Sequence, residues 1–293
     1  MIRKNLMLTF VLVLAVFLAA CGNQAANTAN TQAPAKPAES TPKTTAVVIP
    51  KEAPHWDYEA DGPAKWSTLS KDWATCGDGK AQSPIDIKAS AASKLPEVLL
   101  QFKPADLKIV HNEHQADGIN NGHSIQVNYS DGDTLTIGDQ KYALVQYHFH
   151  GPSEHTVNGK QFPMEMHMVH QSADKKLAVV GVLIAEGAKA NAAFEPIWTN
   201  LPKTKGSETH YGNIKVDVNQ MLPTSRTTYR YDGSLTTPPC SEGVKWIVFS
   251  SPIEFSAAQI GKFKELIKPN NRPTQALNGR AIASDLIEKT VTQ

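Results

Sequence analysis

The sequence predicts a mainly β protein (α+β by some conventions): one strand-dominated domain with a few short peripheral helices. Three observations predict it. Short runs in which apolar and polar residues alternate recur from Val98 onward, turn-forming clusters such as Asn120-Asn121-Gly122 and Asp131-Gly132-Asp133 punctuate them, and no internal repeat divides the chain. The 293 residues allow one large domain or two small ones, ample for a buried core. A net charge of +1 carries no electrostatic footprint of a nucleic-acid partner.

At the N-terminus, Arg3 and Lys4 precede a 15-residue apolar run, Leu6 to Ala20. That run is short for a membrane span and fits a signal-peptide core. Leu18-Ala19-Ala20-Cys21 resembles the bacterial lipobox, which implies cleavage before Cys21, lipidation of its thiol, and an exported, extracytoplasmic protein anchored to the cell-envelope membrane. An ordinary secretory signal that ends in cysteine is the competing reading. Residues 21–53, rich in Ala, Thr, Asn, Gln and Pro, bury too little apolar surface to offset the entropy of ordering and read as a flexible tether. The organisation expected is therefore 1–20 signal peptide, 21–53 tether and 54–293 domain.

Trp56 and Tyr58 open the domain, and Trp66 to Trp73 is apolar enough to dock as an irregular or helical segment. Val98 to Phe102, Leu107 to His111, His123 to Tyr129 and Thr134 to Ile137 read as strands, while the unbroken apolar run Leu177 to Ile184 reads as a strand buried on both faces. Asn191 to Leu201 is a helix candidate. A second begins at Ser256, with Gln259 as capping-box partner and Ile260, Phe263 and Ile267 on one side.

The chemistry is concentrated between Gln146 and His170. As a strand, Gln146-Tyr147-His148-Phe149-His150 sends Gln146, His148 and His150 to one face and Tyr147 and Phe149 to the other. Pro163 to His170 alternates again, with Glu165 and His167 opposite Met164, Met166 and Met168. If these strands pair, three imidazoles converge. Three neutral imidazoles with no cysteine and no fourth protein ligand form the donor set of a catalytic zinc that keeps one position for water; imidazoles also suit cobalt or iron. A strand histidine taken alone is ordinarily a core or surface residue. The case for a metal rests on Gln146 and Glu165, each two residues before a histidine on the same face, where partners of metal-bound imidazoles are needed.

Gln146-Tyr-His148-Phe-His150, Ser153-Glu154-His155 and Glu165-Met-His167 together resemble the zinc site of the alpha-class carbonic anhydrases. Gln82-Ser-Pro-Ile-Asp86, Asn121-Gly-His123, Leu177-Ala-Val179, Ser234-Leu-Thr236-Thr-Pro-Pro-Cys240 and Asn271-Arg272-Pro273 resemble that family's blocks in the family's order, over about residues 54 to 290. The resemblance implies a large, mostly antiparallel central sheet and one Zn2+ per chain held by His148, His150 and His167. Gln146, Glu165 and the main-chain carbonyl of Asn270 would accept hydrogen bonds from those imidazoles. The implied reaction is hydration of carbon dioxide to bicarbonate and a proton by zinc-bound hydroxide; zinc lowers the pKa of its water to about 7, carbonic anhydrase being itself the reference case.

By the same resemblance, Thr236 accepts the proton of that hydroxide and donates its own to Glu154, and its main-chain N–H serves substrate oxygen. Val169, Val179, Leu235, Val244 and Trp246 would form an apolar carbon dioxide pocket, with Thr236 and Thr237 beside it. His123 matches the proton-shuttle position, and an imidazole suits that task because it titrates near neutral pH. The residues alone leave His155 open as a rival ligand; the resemblance implies a buried hydrogen-bonding role beside Glu154. Cys76 and Cys240 are open between a disulfide and two buried thiols, and the resemblance implies the disulfide, which suits an exported protein. His111, His114, His170 and His210 show no partner pattern, and without HExxH a metalloprotease has no support.

Two rival classes remain. His148-x-His150-xxx-Glu154 also resembles half of a cupin motif, with Glu154 as ligand, but Tyr142 stands where cupins have glycine and no Pro-x-Gly precedes His167. A catalytically silent carbonic anhydrase-like binding module is the other. Such modules usually lack zinc histidines, and here all three are present.

Overall fold

The computed structural model describes residues 54–88, 91–112, 123–129, 132–206, 208–286 and 289–292. The signal segment, the tether, Cys21, His114, Asn120-Asn121-Gly122 and Asp131 lie outside the described residues. A fourteen-stranded sheet dominates the remainder. Its longer strands are β1 (Val98–Phe102), β2 (Ala105–Asn112), β3 (Ser124–Asn128), β4 (Thr134–Ile137), β5 (Gln140–His150), β6 (Met164–Ser172), β7 (Leu177–Gly187), β8 (Glu208–Val216), β9 (Thr227–Ser234), β10 (Glu242–Phe249), β11 (Ile253–Ser256) and β12 (Ala283–Leu286).

Across the sheet the order is β8-β2-β3-β5-β6-β7-β10-β9-β12, with Ala91–Ala92 beyond β12 and β1, β4, β11 and Lys289–Thr292 paired beside this path. Neighbours from β8 to β7 are antiparallel, whereas β7 runs parallel to β10 and β11. The sheet is thus mixed but mostly antiparallel, as expected. β7 sits at its centre. Ala178, Val180, Val182 and Ile184 enter the main core on one face, while Val179 and Leu183 join a smaller apolar cluster on the other. That double burial accounts for its unbroken apolar sequence.

The same two-residue period sorts β5 and β6. Tyr147, Phe149, Met164, Met166 and Met168 enter the main core, and their alternates face away from it. Within that core, Phe149, Phe194, Trp198 and Phe255 stack edge to face, with centroids 4.7–5.0 Å apart in the Phe149–Trp198, Phe194–Phe255 and Trp198–Phe255 pairs. Such contacts add about 0.5–1.5 kcal/mol per pair beyond area burial, so the strands carrying the polar face are fixed from behind.

The helix Ala257–Leu266 closes this layer. Ser256 Oγ accepts from Gln259 N–H and Gln259 Oε1 accepts from Ser256 N–H, both at 3.2 Å, completing the expected capping box. Ile267 is buried but lies just past the helix end, so only Ile260 and Phe263 pack from within it. Asn191 to Leu201 forms a 3-10 turn, Ala192–Phe194, and then a short α-helix, Glu195–Thr199, rather than one continuous helix. Pro196 lacks an N–H and suits that helix's first turn. Trp66 to Trp73 is likewise two helical turns, Trp66–Leu69 and Lys71–Trp73.

Candidate metal centre

β5 and β6 pair so that His148 stands opposite His167 and His150 opposite Glu165. Cross-strand neighbours are about 5 Å apart and i, i+2 neighbours share a face, so this register brings three imidazoles together. Their ring centroids lie 5.0, 5.4 and 4.5 Å apart for the 148–150, 148–167 and 150–167 pairs. One nitrogen from each lies within 4.8 Å of those of the other two, and all three side chains are buried.

The remaining nitrogen of each ring is held from outside. His148 Nδ1 donates to Gln146 Oε1 at 2.8 Å, His150 Nδ1 to the Asn270 carbonyl at 2.7 Å, and His167 Nε2 to Glu165 Oε1 at 2.9 Å. These bonds turn the lone pairs of His148 Nε2, His150 Nε2 and His167 Nδ1 toward one another. His150 Nε2 is buried with no hydrogen-bond partner, as is Glu154 Oε2, 3.6 Å from it. An unsatisfied buried polar atom costs about 1–3 kcal/mol, and a cation at this point would remove that cost.

Burial also keeps the rings neutral. It pushes His150 down to about 4 and His148 well below the usual imidazole range, the latter with help from His150 and His167; His167 is lowered too. Neutral imidazole is the metal-binding form. Three such donors, with no thiolate, fit a zinc ion with an open fourth position.

Glu165 is saturated. Oε1 accepts from His167 Nε2 and from His155 Nδ1 at 2.8 Å, and Oε2 accepts the main-chain N–H groups of Glu154 and His155 at 2.9 and 2.8 Å. Burial alone would raise this carboxyl, but His155 and His167 hold it well below the usual range. His155 is not free to ligate, because its Nε2 accepts from Tyr231 Oη at 2.6 Å. Tyr231 continues to Ser83 Oγ at 2.9 Å, which accepts from Ser234 N–H at 3.1 Å at the end of β9.

Glu154 Oε1 accepts the Arg272 main-chain N–H at 2.8 Å. Burial pushes its carboxyl up to about 7, against the lowering effects of His167, Arg272 N–H and the Thr236 hydroxyl. Thr236 and Thr237, both buried, lie on the turn after β9, closed by Leu235 N–H to Ser241 O at 3.0 Å and Cys240 N–H to Thr237 O at 2.8 Å. A disulfide joins Cys240 to Cys76 across 164 residues, which resolves the alternative the sequence left open. The buried Arg272 guanidinium donates to Cys76 O, Ser83 O and Gln82 Oε1 at 2.7–2.9 Å, and Gln82 Nε2 donates to Cys240 O at 3.0 Å.

On the other side of the triad, Val169, Val179, Val244 and Trp246 share one buried apolar cluster, with Leu235 packed against it. The Trp246 ring centroid is 4.8 Å from that of His167. His123 is half-buried just before β3, with a φ of +44° and Nε2 3.2 Å from Trp56 O. It lines a cleft of about 370 Å³ together with His55, Tyr58, Lys268 and Asn270. Gln126, three residues along from His123, is paired in register with His148 in the antiparallel β3–β5 ladder. His170 is buried on the opposite face against Phe102, and His210 is exposed beside Asp106.

Several participants carry no isolated signal in the sequence. Gln126 beside His148 is an unremarked polar position in an alternating run. Gly181 lies opposite His167, where a Cβ would come within 3.1 Å of Glu165 Oε1. Arg272 stands in a block whose presence is legible and whose contacts are not.

The comparisons converge on one family. The family profile described as eukaryotic-type carbonic anhydrase matches residues 61–285. A carbonic anhydrase of Pectobacterium carotovorum is 43% identical over 230 residues, 78% of this chain and 90% of that protein. One from Nostoc sp. is 40% identical over 234 residues, 78% and 85% of the two chains. The solved alpha-carbonic anhydrase of Thermovibrio ammonificans, in complex with the inhibitor sulfanilamide, superposes with a TM-score of 0.72 at 39% identity, covering 78% of this chain and 99% of that one.

Proposed function

Because the chain belongs to the eukaryotic-type, or alpha, carbonic anhydrase family, we propose that it hydrates carbon dioxide reversibly to bicarbonate and a proton, with one zinc ion held by His148, His150 and His167. The observation that carries this reading is the inward convergence of three neutral ring nitrogens, each ring fixed by a hydrogen bond from its other nitrogen. A zinc ion there supplies the Lewis acidity that lets water act as a nucleophile at neutral pH.

The remaining roles belong to the chain. Gln146, Glu165 and the Asn270 carbonyl hold the imidazoles in the ligating tautomer. The Thr236 hydroxyl donates to Glu154 and so accepts from the attacking oxygen, turning that oxygen's lone pair toward carbon; a hydroxyl can do both at once. Carbon dioxide has no net dipole, and the apolar wall of Val169, Val179, Leu235, Val244 and Trp246 receives it without displacing firmly held water, with Thr237 beside it. His123, in the cleft beside Asn270, takes the released proton outward to buffer.

The same proposal includes export and a lipid anchor on Cys21. The apolar run before Cys21 and the Cys76–Cys240 bridge, which suits an oxidising compartment, support it; the mass of the mature N-terminal peptide tests it. The presence of the three histidines, Glu154 and Thr236 favours an enzyme over a silent binding module. Stopped-flow hydration of carbon dioxide by the mature chain, with metal analysis before and after chelation, tests the activity. One zinc per chain, with activity that leaves and returns with it, is the expected result; full hydration by metal-free protein would overturn the reading.

A further inference from the structure

The Asn270 side chain is buried and spends every polar atom on main chain. Oδ1 accepts the Gly151 N–H at 2.8 Å, and Nδ2 donates to Phe149 O at 3.0 Å and to His123 O at 3.2 Å. Its main-chain carbonyl is the acceptor for His150 Nδ1. One residue thus grips both peptide groups that flank a ligand and, through the same amide nitrogen, the backbone of the residue at the cleft. Only a primary amide of this length offers one acceptor and two donors at such a point.

His123 needs such a grip. Its φ of +44° is uncommon for a residue with a β-carbon and persists only where surrounding contacts hold it. The ring is fixed by its contact with Trp56 O and by edge contacts to Trp56 and Tyr58, with centroids 5.8 and 6.4 Å away. The carbonyl of the same residue is held by Asn270. Releasing that carbonyl frees the backbone torsions that aim the imidazole, whereas Asn270 N–H still donates to Gly151 O at 3.3 Å and keeps the Asn270 main chain beside His150.

We propose that the Asn270 side chain is a positioning residue that locks the His123 backbone to the ligand strand β5 and so fixes the carrier imidazole at a set distance from the triad. This rests on the reading of His123 as proton carrier. Regeneration of the site by proton export limits kcat in weak buffer, while kcat/KM reports the carbon dioxide steps that precede it. A positioning role therefore splits the two parameters, and a merely structural one lowers both.

The test is a double-mutant cycle of Asn270→Ala and His123→Ala in the zinc-loaded mature chain, read in weak buffer with and without imidazole. The expected result is about a tenfold loss of kcat in Asn270→Ala, clearly larger than its loss of kcat/KM, recovery of kcat with imidazole, and no further loss of kcat when His123→Ala is added. In metal-free protein, the His123 backbone amide resonance should shift in Asn270→Ala. Equal losses of kcat and kcat/KM, or additive effects in the cycle, overturn the proposal. If His123→Ala alone matches the parent, the carrier reading falls and takes this proposal with it; if His123→Ala is impaired and Asn270→Ala is not, only this proposal falls. Should Asn270→Ala not fold, amide exchange in the wild-type protein decides: Asn270 side-chain protons protected from solvent support the clamp, and exchange at the rate of an exposed amide overturns it.

Discussion

Gly181 lies directly opposite His167 on the neighbouring strand, and a methyl group on it would come to 3.1 Å from Glu165 Oε1 and 3.3 Å from Val248 Cγ2. Glu165 is held by four donors, so the few tenths of an ångström it must yield to the added methyl strain the bonds that orient His167 and His155. Loss of an outer partner of a metal ligand typically costs 10–100-fold in metal affinity. Gly181→Ala is expected to weaken zinc binding by about tenfold, measured by competition with a chromophoric chelator. Unchanged affinity would show that the Glu165 position does not govern His167.

The acid limit of stability is expected to depend in part on a histidine outside the centre. His170 is buried; burial pushes its pKa down from 6.5 to about 4, although Nδ1 donates to Met168 O at 2.9 Å. The folded state holds this ring neutral, so between 6.5 and 4 the unfolded chain binds the extra proton and stability falls as pH falls. One pKa unit is about 1.4 kcal/mol, so the full loss is of order 3 kcal/mol. Urea midpoints of metal-free protein between pH 7.5 and 4.5 should fall less steeply in His170→Asn than in the parent. Parallel curves would assign the acid loss to other groups.

How much of this was legible in the sequence follows from range. The strands carrying Gln146, His148, His150, Glu165 and His167 declare their faces through a period of two, which needs no knowledge of neighbours. Their pairing was a further assumption, met by the register that sets His148 against His167. β8 gives no local signal because it is an edge strand exposed along most of its length, with glycine and polar residues where alternation would show. β9 was hidden by polar residues on both faces of its first half. The Asn270 and Arg272 hydrogen bonds bridge residues 118 to 196 positions apart, so no local pattern could announce them.

The Cys76–Cys240 bridge closes a loop of 164 residues, for which the chain-entropy view gives about 5 kcal/mol as an upper figure and experience about 2–4. Cys240→Ser should therefore lower Tm by roughly 10 °C in a domain of this size. Activity should fall much less, because Gln82 still donates to Cys240 O and Arg272 to Cys76 O, holding the Thr236 turn from both sides. Differential scanning calorimetry and hydration assays below the melting range separate the two effects. A collapse of activity at full folding would make the bridge itself part of the site's geometry.

Thr236 offers the sharpest division between a turn residue and a participant. Its hydroxyl neighbours the buried Glu154 carboxyl, whose Oε1 also accepts the Arg272 N–H. If the hydroxyl orients the attacking oxygen, Thr236→Val removes that orientation while keeping shape, and Thr236→Ser keeps the hydroxyl while trimming a methyl. Loss of one preorganised polar partner costs about 10²–10³ in rate. The expected order in kcat/KM is parent, then Ser within a few-fold, then Val about a hundredfold lower, all with one zinc per chain. Glu154→Gln should lose a comparable factor, and the two changes together little more than either alone, since both break one pair. Activity of Thr236→Val equal to the parent would reduce Thr236 to a turn residue, because valine differs from threonine only by a methyl in place of a hydroxyl of similar size.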